Sequence, residues 1–143
     1  LSKKRQRVKT PLVCIVDDDW SLVEATVSLI QSLGYVAEGF RSAEDFLESR
    51  QLLKTDCLIL DIRMPSMGGF ELQRRLAAKS QQIPIIFVTA YDSEEARIQA
   101  AEAGAVGFLY KPFSQESLFL AIRSALGIKG KTEVRAHQIK ENP

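Results

Sequence analysis

Short apolar runs alternate along this chain with amphipathic helical patterns, and that alternation constrains the fold more than any other feature. Residues 12–16 (LVCIV), 57–60 (CLIL), 85–88 (IIFV) and 106–110 (VGFLY) are continuous apolar runs of four to five residues. Runs of this kind suit parallel strands covered on both faces, because a strand with one wet face would alternate with polar residues. Residues 35–40 (YVAEGF) are more mixed and belong at a sheet edge.

Helical spacing fills the intervals. Leu22, Thr26, Leu29 or Ile30, and Leu33 form one stripe, Phe46 and Leu47 a short second, and Phe70, Leu72 and Leu76 a third. Leu118, Ala121, Ile122, Ala125 and Leu126 form the cleanest, at the offsets of a single helix face. Ser42 ahead of Asp45, Asp92 ahead of Glu95, and Ser114 supply start signals, while Gly34, Gly104 and Gly127 supply stops.

The resulting order, strand then helix five times over, predicts an α/β fold. Parallel neighbours need right-handed crossovers, which place helices on both faces of the sheet. Five such units fit a flavodoxin-like, doubly wound parallel sheet of order 2-1-3-4-5 with five helices. In that order the first and third strands flank the switch point, so ligands meet their carboxyl ends.

The chain has 143 residues, enough for one domain with a real core. Five of the nineteen Lys and Arg residues fall in the first ten positions, which contain no acid. The rest carries fourteen basic against eighteen acidic residues, so a basic arm precedes a mildly acidic body that does not read as a nucleic-acid binder. We therefore expect an arm over 1–11, a domain over 12–127 and a tail over 128–143. No apolar run approaches the ~20 residues that cross a bilayer, so no membrane association is expected. Cys14 and Cys57 lie in apolar runs on what should be opposite sheet faces, and are expected as buried thiols without a disulfide, in a cytoplasmic protein.

The residues after each strand carry the chemistry. Asp17, Asp18 and Asp19 follow the first, Asp61 the third, Thr89 the fourth and Lys111 the fifth. Each alone has a plainer reading as helix cap, turn residue, strand-end hydroxyl or solvated lysine. Together they put carboxylates, a hydroxyl and an ammonium on one edge beside one switch point. Carboxylates so gathered call for a cation. Hard oxygen donors suit Mg²⁺, whereas a zinc site would have only His137, in the tail. A carboxylate nucleophile, Mg²⁺, a lysine and a hydroxyl are the parts of phosphoryl transfer to an aspartate.

The motifs VDDD (16–19), LDIRMPSMGG (60–69), VTAY (88–91) and LYKPF (109–113) together resemble the CheY-like receiver domain of bacterial two-component response regulators. The resemblance covers about residues 12–127. It implies a signalling switch phosphorylated on Asp61 by a sensor histidine kinase. It implies Mg²⁺ held by Asp17, Asp18, Asp61 and the Arg63 backbone carbonyl, Lys111 beside Asp61 or its phosphate, and Thr89 and Phe108 as switch residues. It also implies a cis Lys111–Pro112 bond, and signal output or dimerisation through the fourth helix, fifth strand and fifth helix. Arg63 and Tyr91 occupy positions that are variable in the family and are expected to shield the phosphate from water. Asp19 is read as a helix cap.

Three alternatives compete. Phosphatases resembling haloacid dehalogenases place a second acid two residues after the nucleophile, where this chain has Arg63. Receivers that act without phosphorylation usually lack an acid, the phosphoacceptor or the lysine, and all are present here. Direct DNA reading is disfavoured because only sixteen residues follow position 127. The IRMP run after Asp61 and the KPF and AGAVGF runs most resemble receivers that precede transcriptional output domains of the two-helix DNA-binding type, so the chain is expected to be either a lone receiver or the N-terminal part of a longer regulator. The chain is not expected to be an enzyme beyond catalysing its own phosphorylation and slow dephosphorylation.

Overall fold

A computed structural model describes residues 9–91 and 93–130. Five strands, β1 (Leu12–Val16), β2 (Val36–Phe40), β3 (Cys57–Asp61), β4 (Ile85–Thr89) and β5 (Gly107–Tyr110), form one sheet. All neighbours are parallel, in the order β2-β1-β3-β4-β5. This is the 2-1-3-4-5 order expected from the alternation. Every residue of β1, β3 and β4 is buried, whereas β2 at the edge buries only Phe40.

Five helices, α1 (Trp20–Ser32), α2 (Ala43–Leu47), α3 (Gly69–Ala78), α4 (Glu94–Glu102) and α5 (Gln115–Gly130), cover the sheet, with a 3-10 turn at Arg50–Lys54. Two cores result, one on each face. Leu72 and Leu76 of α3 join Phe46 of α2 and Phe87 on one side; Val23 and Ile30 of α1 join Leu118 and Ile122 of α5 on the other. Cys14 lies in the first core and Cys57 in the second, so the strand pleat separates the thiols and no disulfide links them.

The caps follow from local chemistry. Asp19 accepts the Leu22 N–H, Ser42 the Asp45 N–H and Ser114 the Ser117 N–H, which satisfies donors that each first turn leaves unpaired. Gly34 and Gly104 end their helices at φ 101° and 84°, the left-handed conformation that glycine adopts without cost.

Two expectations need correction. Helix α4 is capped by Ser93, which accepts the Ala96 N–H; Asp92 lies outside the described residues. Gly127 does not stop α5, which continues to Gly130. Its backbone does not turn left-handed, and one interior glycine costs only about 1 kcal/mol against the apolar face already buried ahead of it. Residues 1–8 of the expected arm and 131–143 of the expected tail, including His137, lie outside the described residues.

Helix α4 is the least anchored. It buries Ala100 alone, whereas α3 buries Leu72 and Leu76, each contributing roughly 1.5–3 kcal/mol.

Candidate functional site

The site sits where β1 and β3 end. Val16 pairs with Leu60 in register, so Asp17 and Asp61 follow at the same level. Asp17 is held by its own backbone, its N–H donating to the Phe40 carbonyl and its Oδ1 accepting the Asp19 N–H at 2.9 Å. Asp17 and Asp61 are buried while Asp18 is exposed. Ligand oxygens of Asp17, Asp18 and Asp61 lie within 4.8 Å of one another, close enough to hold one metal ion. Three hard oxygen donors and no soft ligand fit Mg²⁺.

Lys111 reaches this cluster from the end of β5. Its N–H donates to the Thr89 carbonyl at 2.8 Å, and the following Lys111–Pro112 bond is cis, as the resemblance implies. The ammonium Nζ lies 2.8 Å from Asp17 Oδ2 and 3.4 Å from Asp61 Oδ2. The lysine therefore bridges both carboxylates and sits closer to Asp17 than to Asp61.

Two carboxylates against one ammonium leave a net negative site. Burial, then the charge of Asp17, push the Asp61 carboxyl up to about 6, against the lowering effects of Lys111 and the Arg63 N–H. Burial works against the charge on Lys111, but its hydrogen bond to Asp17 and the charges of Asp61 and Asp17 prevail and hold its pKa above the ordinary value. Uncompensated negative charge of this kind favours binding of a cation.

Arg63 donates its N–H to Asp61 Oδ1 at 3.4 Å. Thr89, buried at the end of β4, accepts the Tyr91 N–H on Oγ1 at 3.1 Å. Phe108 is not part of this group: it is half-buried on β5, edge-on to Tyr110 with ring centroids 5.3 Å apart. The Arg63 guanidinium covers the Tyr91 ring, and a cleft of about 240 Å³ runs from Arg63 and Tyr91 past Thr89 to Phe70 and Gln99.

Two contacts escaped the sequence. Arg97 of α4 donates to the Tyr110 hydroxyl at 2.6 Å, and the Arg41 guanidinium stacks on the Trp20 ring, 4.5 Å from its centroid. Nothing local marks either, because both pairs join separate elements.

Residues 13–123 match the response regulator receiver domain. The chain belongs to that family. It is 40% identical over 141 residues to the response regulator protein TmoT of Ectopseudomonas mendocina, covering 99% of this chain and 64% of TmoT. It is 32% identical over 114 residues to the transcriptional regulatory protein FixJ of Bradyrhizobium diazoefficiens, covering 80% of this chain and 56% of FixJ. Among solved structures it is similar to the response regulator StyR, with a TM-score of 0.78 and 40% identity over 94% of this chain and 67% of that one. The chain thus spans between half and about two-thirds of the length of the curated relatives it matches. The phosphatase and phosphorylation-independent alternatives are not favoured by this assignment. No described helix of the receiver domain is long and apolar enough to cross a membrane.

Proposed function

We propose that this receiver domain accepts a phosphoryl group on Asp61 from a sensor histidine kinase and works as a two-state switch. The observation that carries the reading is the gathering of Asp17, Asp18 and Asp61 at two adjacent strand ends, with the Lys111 ammonium against two of them. An Asp61 carboxylate oxygen attacks phosphorus in line; the P–N bond to the donor imidazole breaks and the imidazole departs with the electron pair. Asp17, Asp18, Asp61 and the Arg63 backbone carbonyl would hold Mg²⁺. The bound ion supplies neutralisation of the charge on the transferring oxygens. Lys111 supplies a fixed positive charge, and the Thr89 hydroxyl turns from the Tyr91 N–H to hydrogen-bond the phosphate.

Movement of Thr89 reaches its β5 partner Tyr110, then Phe108, which stands edge-on to Tyr110, and α4 through Arg97. The face made by α4, β5 and α5 is the surface this change remodels for a dimer partner, an output domain or a target protein. FixJ is a transcriptional regulator, which supports an output of that kind in a longer protein. On this reading the domain turns over no metabolite, binds no nucleic acid itself and works in the cytoplasm.

Incubation with acetyl phosphate and Mg²⁺, followed by intact mass measurement, tests the reading. A single phospho-adduct on wild type, absent in Asp61→Asn and abolished by EDTA, is the expected result. An equal adduct on Asp61→Asn would overturn it.

A further inference from the structure

The loop that follows Asp61 is closed by an unusually tight backbone contact. Gly69, the first residue of α3, donates its N–H to the Ile62 carbonyl at 2.9 Å, while the Ile62 N–H donates to the Val88 carbonyl at 3.0 Å. The Ile62 backbone is thereby pinned on both sides, to β4 and to the start of α3. A Cβ built at Gly69 would stand 2.5 Å from the Asp61 carbonyl oxygen, 3.1 Å from the Ile62 Cα and 3.2 Å from the Asp61 carbonyl carbon. All three are backbone atoms, which have no rotamer by which to yield. At Gly68 the added carbon would meet a single atom, the Ile62 carbonyl oxygen, at 2.8 Å.

What lies on the other side of that pinned backbone is the site itself. Asp61 projects its carboxylate toward Lys111, and the Arg63 N–H donates to Asp61 Oδ1. Moving the Asp61 and Ile62 carbonyls to admit a methyl group turns both peptides. The carboxylate and the Arg63 backbone then turn relative to Asp17, which is anchored independently through Phe40 and Asp19. Residues on either side of the two glycines are packed: Met67 is buried in the core, and Phe70 of α3 lies on Phe87 with ring centroids 4.8 Å apart.

We propose that Gly69 is a positioning residue for phosphoryl transfer. Its missing side chain lets α3 close onto the Asp61 carbonyl and so sets the angle at which the Asp61 carboxylate and the Arg63 backbone face the cation site. This rests on the proposed function. Gly69 touches neither the ion nor the phosphoryl group; it acts through the backbone, as outer-shell partners of metal ligands do, and their loss weakens metal binding by about 10–100-fold.

The test compares Gly69→Ala with Gly68→Ala and with Leu72→Val, which loosens the same helix from its core side and leaves the Asp61 carbonyl untouched. Mg²⁺ affinity is read by titrating Trp20 fluorescence, the phosphorylation rate with acetyl phosphate by intact mass, and folding by thermal melts. Gly69→Ala should bind Mg²⁺ at least about tenfold more weakly than wild type and phosphorylate more slowly even at saturating Mg²⁺. Gly68→Ala should lie between the two, and Leu72→Val should keep wild-type affinity at an equal or lower melting temperature. If Gly69→Ala does not fold, Gly68→Ala against Leu72→Val carries the comparison. Wild-type Mg²⁺ affinity in a folded Gly69→Ala or, failing that, in Gly68→Ala, overturns the inference, as does equal weakening in Leu72→Val. A wild-type protein that neither binds Mg²⁺ nor gains an adduct overturns the functional reading instead, so the two failures are distinct.

Discussion

The guanidinium carbon of Arg63 lies 4.2 Å from the centroid of the Tyr91 ring, bringing together the residues two positions after Asp61 and two after Thr89. The pair forms a lid on the rim of the cleft leading to Thr89. Both side chains are exposed, and a cation–π contact there is worth about 0.5–1 kcal/mol, so the lid opens often. We expect the Arg63→Ala, Tyr91→Ala double variant to lose its phosphate about two- to fivefold faster than wild type. Decay of the phospho-adduct, followed by mass, checks this; an equal or slower decay would sink the shielding role.

The raised pKa of Asp61 makes stability depend on pH. Its folded value, about 6, exceeds the ordinary 3.8, so the native state binds the proton more tightly than the unfolded chain does. The stabilisation this gives is complete below about pH 4 and is lost as pH rises through about 6. In EDTA at neutral pH, Asp61→Asn should therefore be more stable than wild type by on the order of 2 kcal/mol. Mg²⁺ should narrow or reverse that difference. Urea denaturation across pH, with and without the ion, reads both effects.

Burial pushes the Cys14 thiol up to about 11, outweighing the lowering hydrogen bond to Thr55. The native thiol stays neutral where the unfolded one ionises. Its contribution to stability is full below about pH 9 and lost as pH rises through about 11. Alkylation at about pH 8 should be more than about a hundredfold slower in the native protein than in urea, because the thiolate is the reactive form. Native-state labelling of Cys14 at the urea rate would contradict the burial of its thiol.

The Tyr110 hydroxyl ties β5 to α4 through Arg97. Since Ala100 is the one buried residue of α4, removing this bond should loosen that helix before the rest of the fold. Tyr110→Phe is expected to cost about 0.5–1.5 kcal/mol and to speed amide hydrogen exchange in α4 selectively. Uniform acceleration across all elements would argue against a local tether.

The strand-and-helix alternation was legible in the chain because each period is set by near neighbours and by which face of an element is buried. The strand ends were legible for the same reason. With Val16 opposite Leu60 in the parallel β1–β3 pair, Asp17 and Asp61 stand level and the thiols of Cys14 and Cys57 point to opposite faces, as expected if the aspartates are level. Caps were partly legible: Asp19, Ser42 and Ser114 act as expected, but the start signal read at Asp92 falls one residue early, and the Ser93 hydroxyl is the group that accepts the Ala96 N–H. Gly127 reads as a stop in sequence, yet α5 passes through it, because burial of Leu118, Ile122 and Ala125 outweighs one glycine.

The topology, and the edge on which the charged groups gather, thus follow from the residue pattern alone. Tertiary structure decided how those groups share their charges. Lys111 sits nearer Asp17 than Asp61, Arg63 lies on Tyr91, and Arg97 reaches Tyr110. Each of these contacts joins side chains from different elements. Their distances depend on how helices and loops settle on the sheet, and no local pattern of residues encodes that.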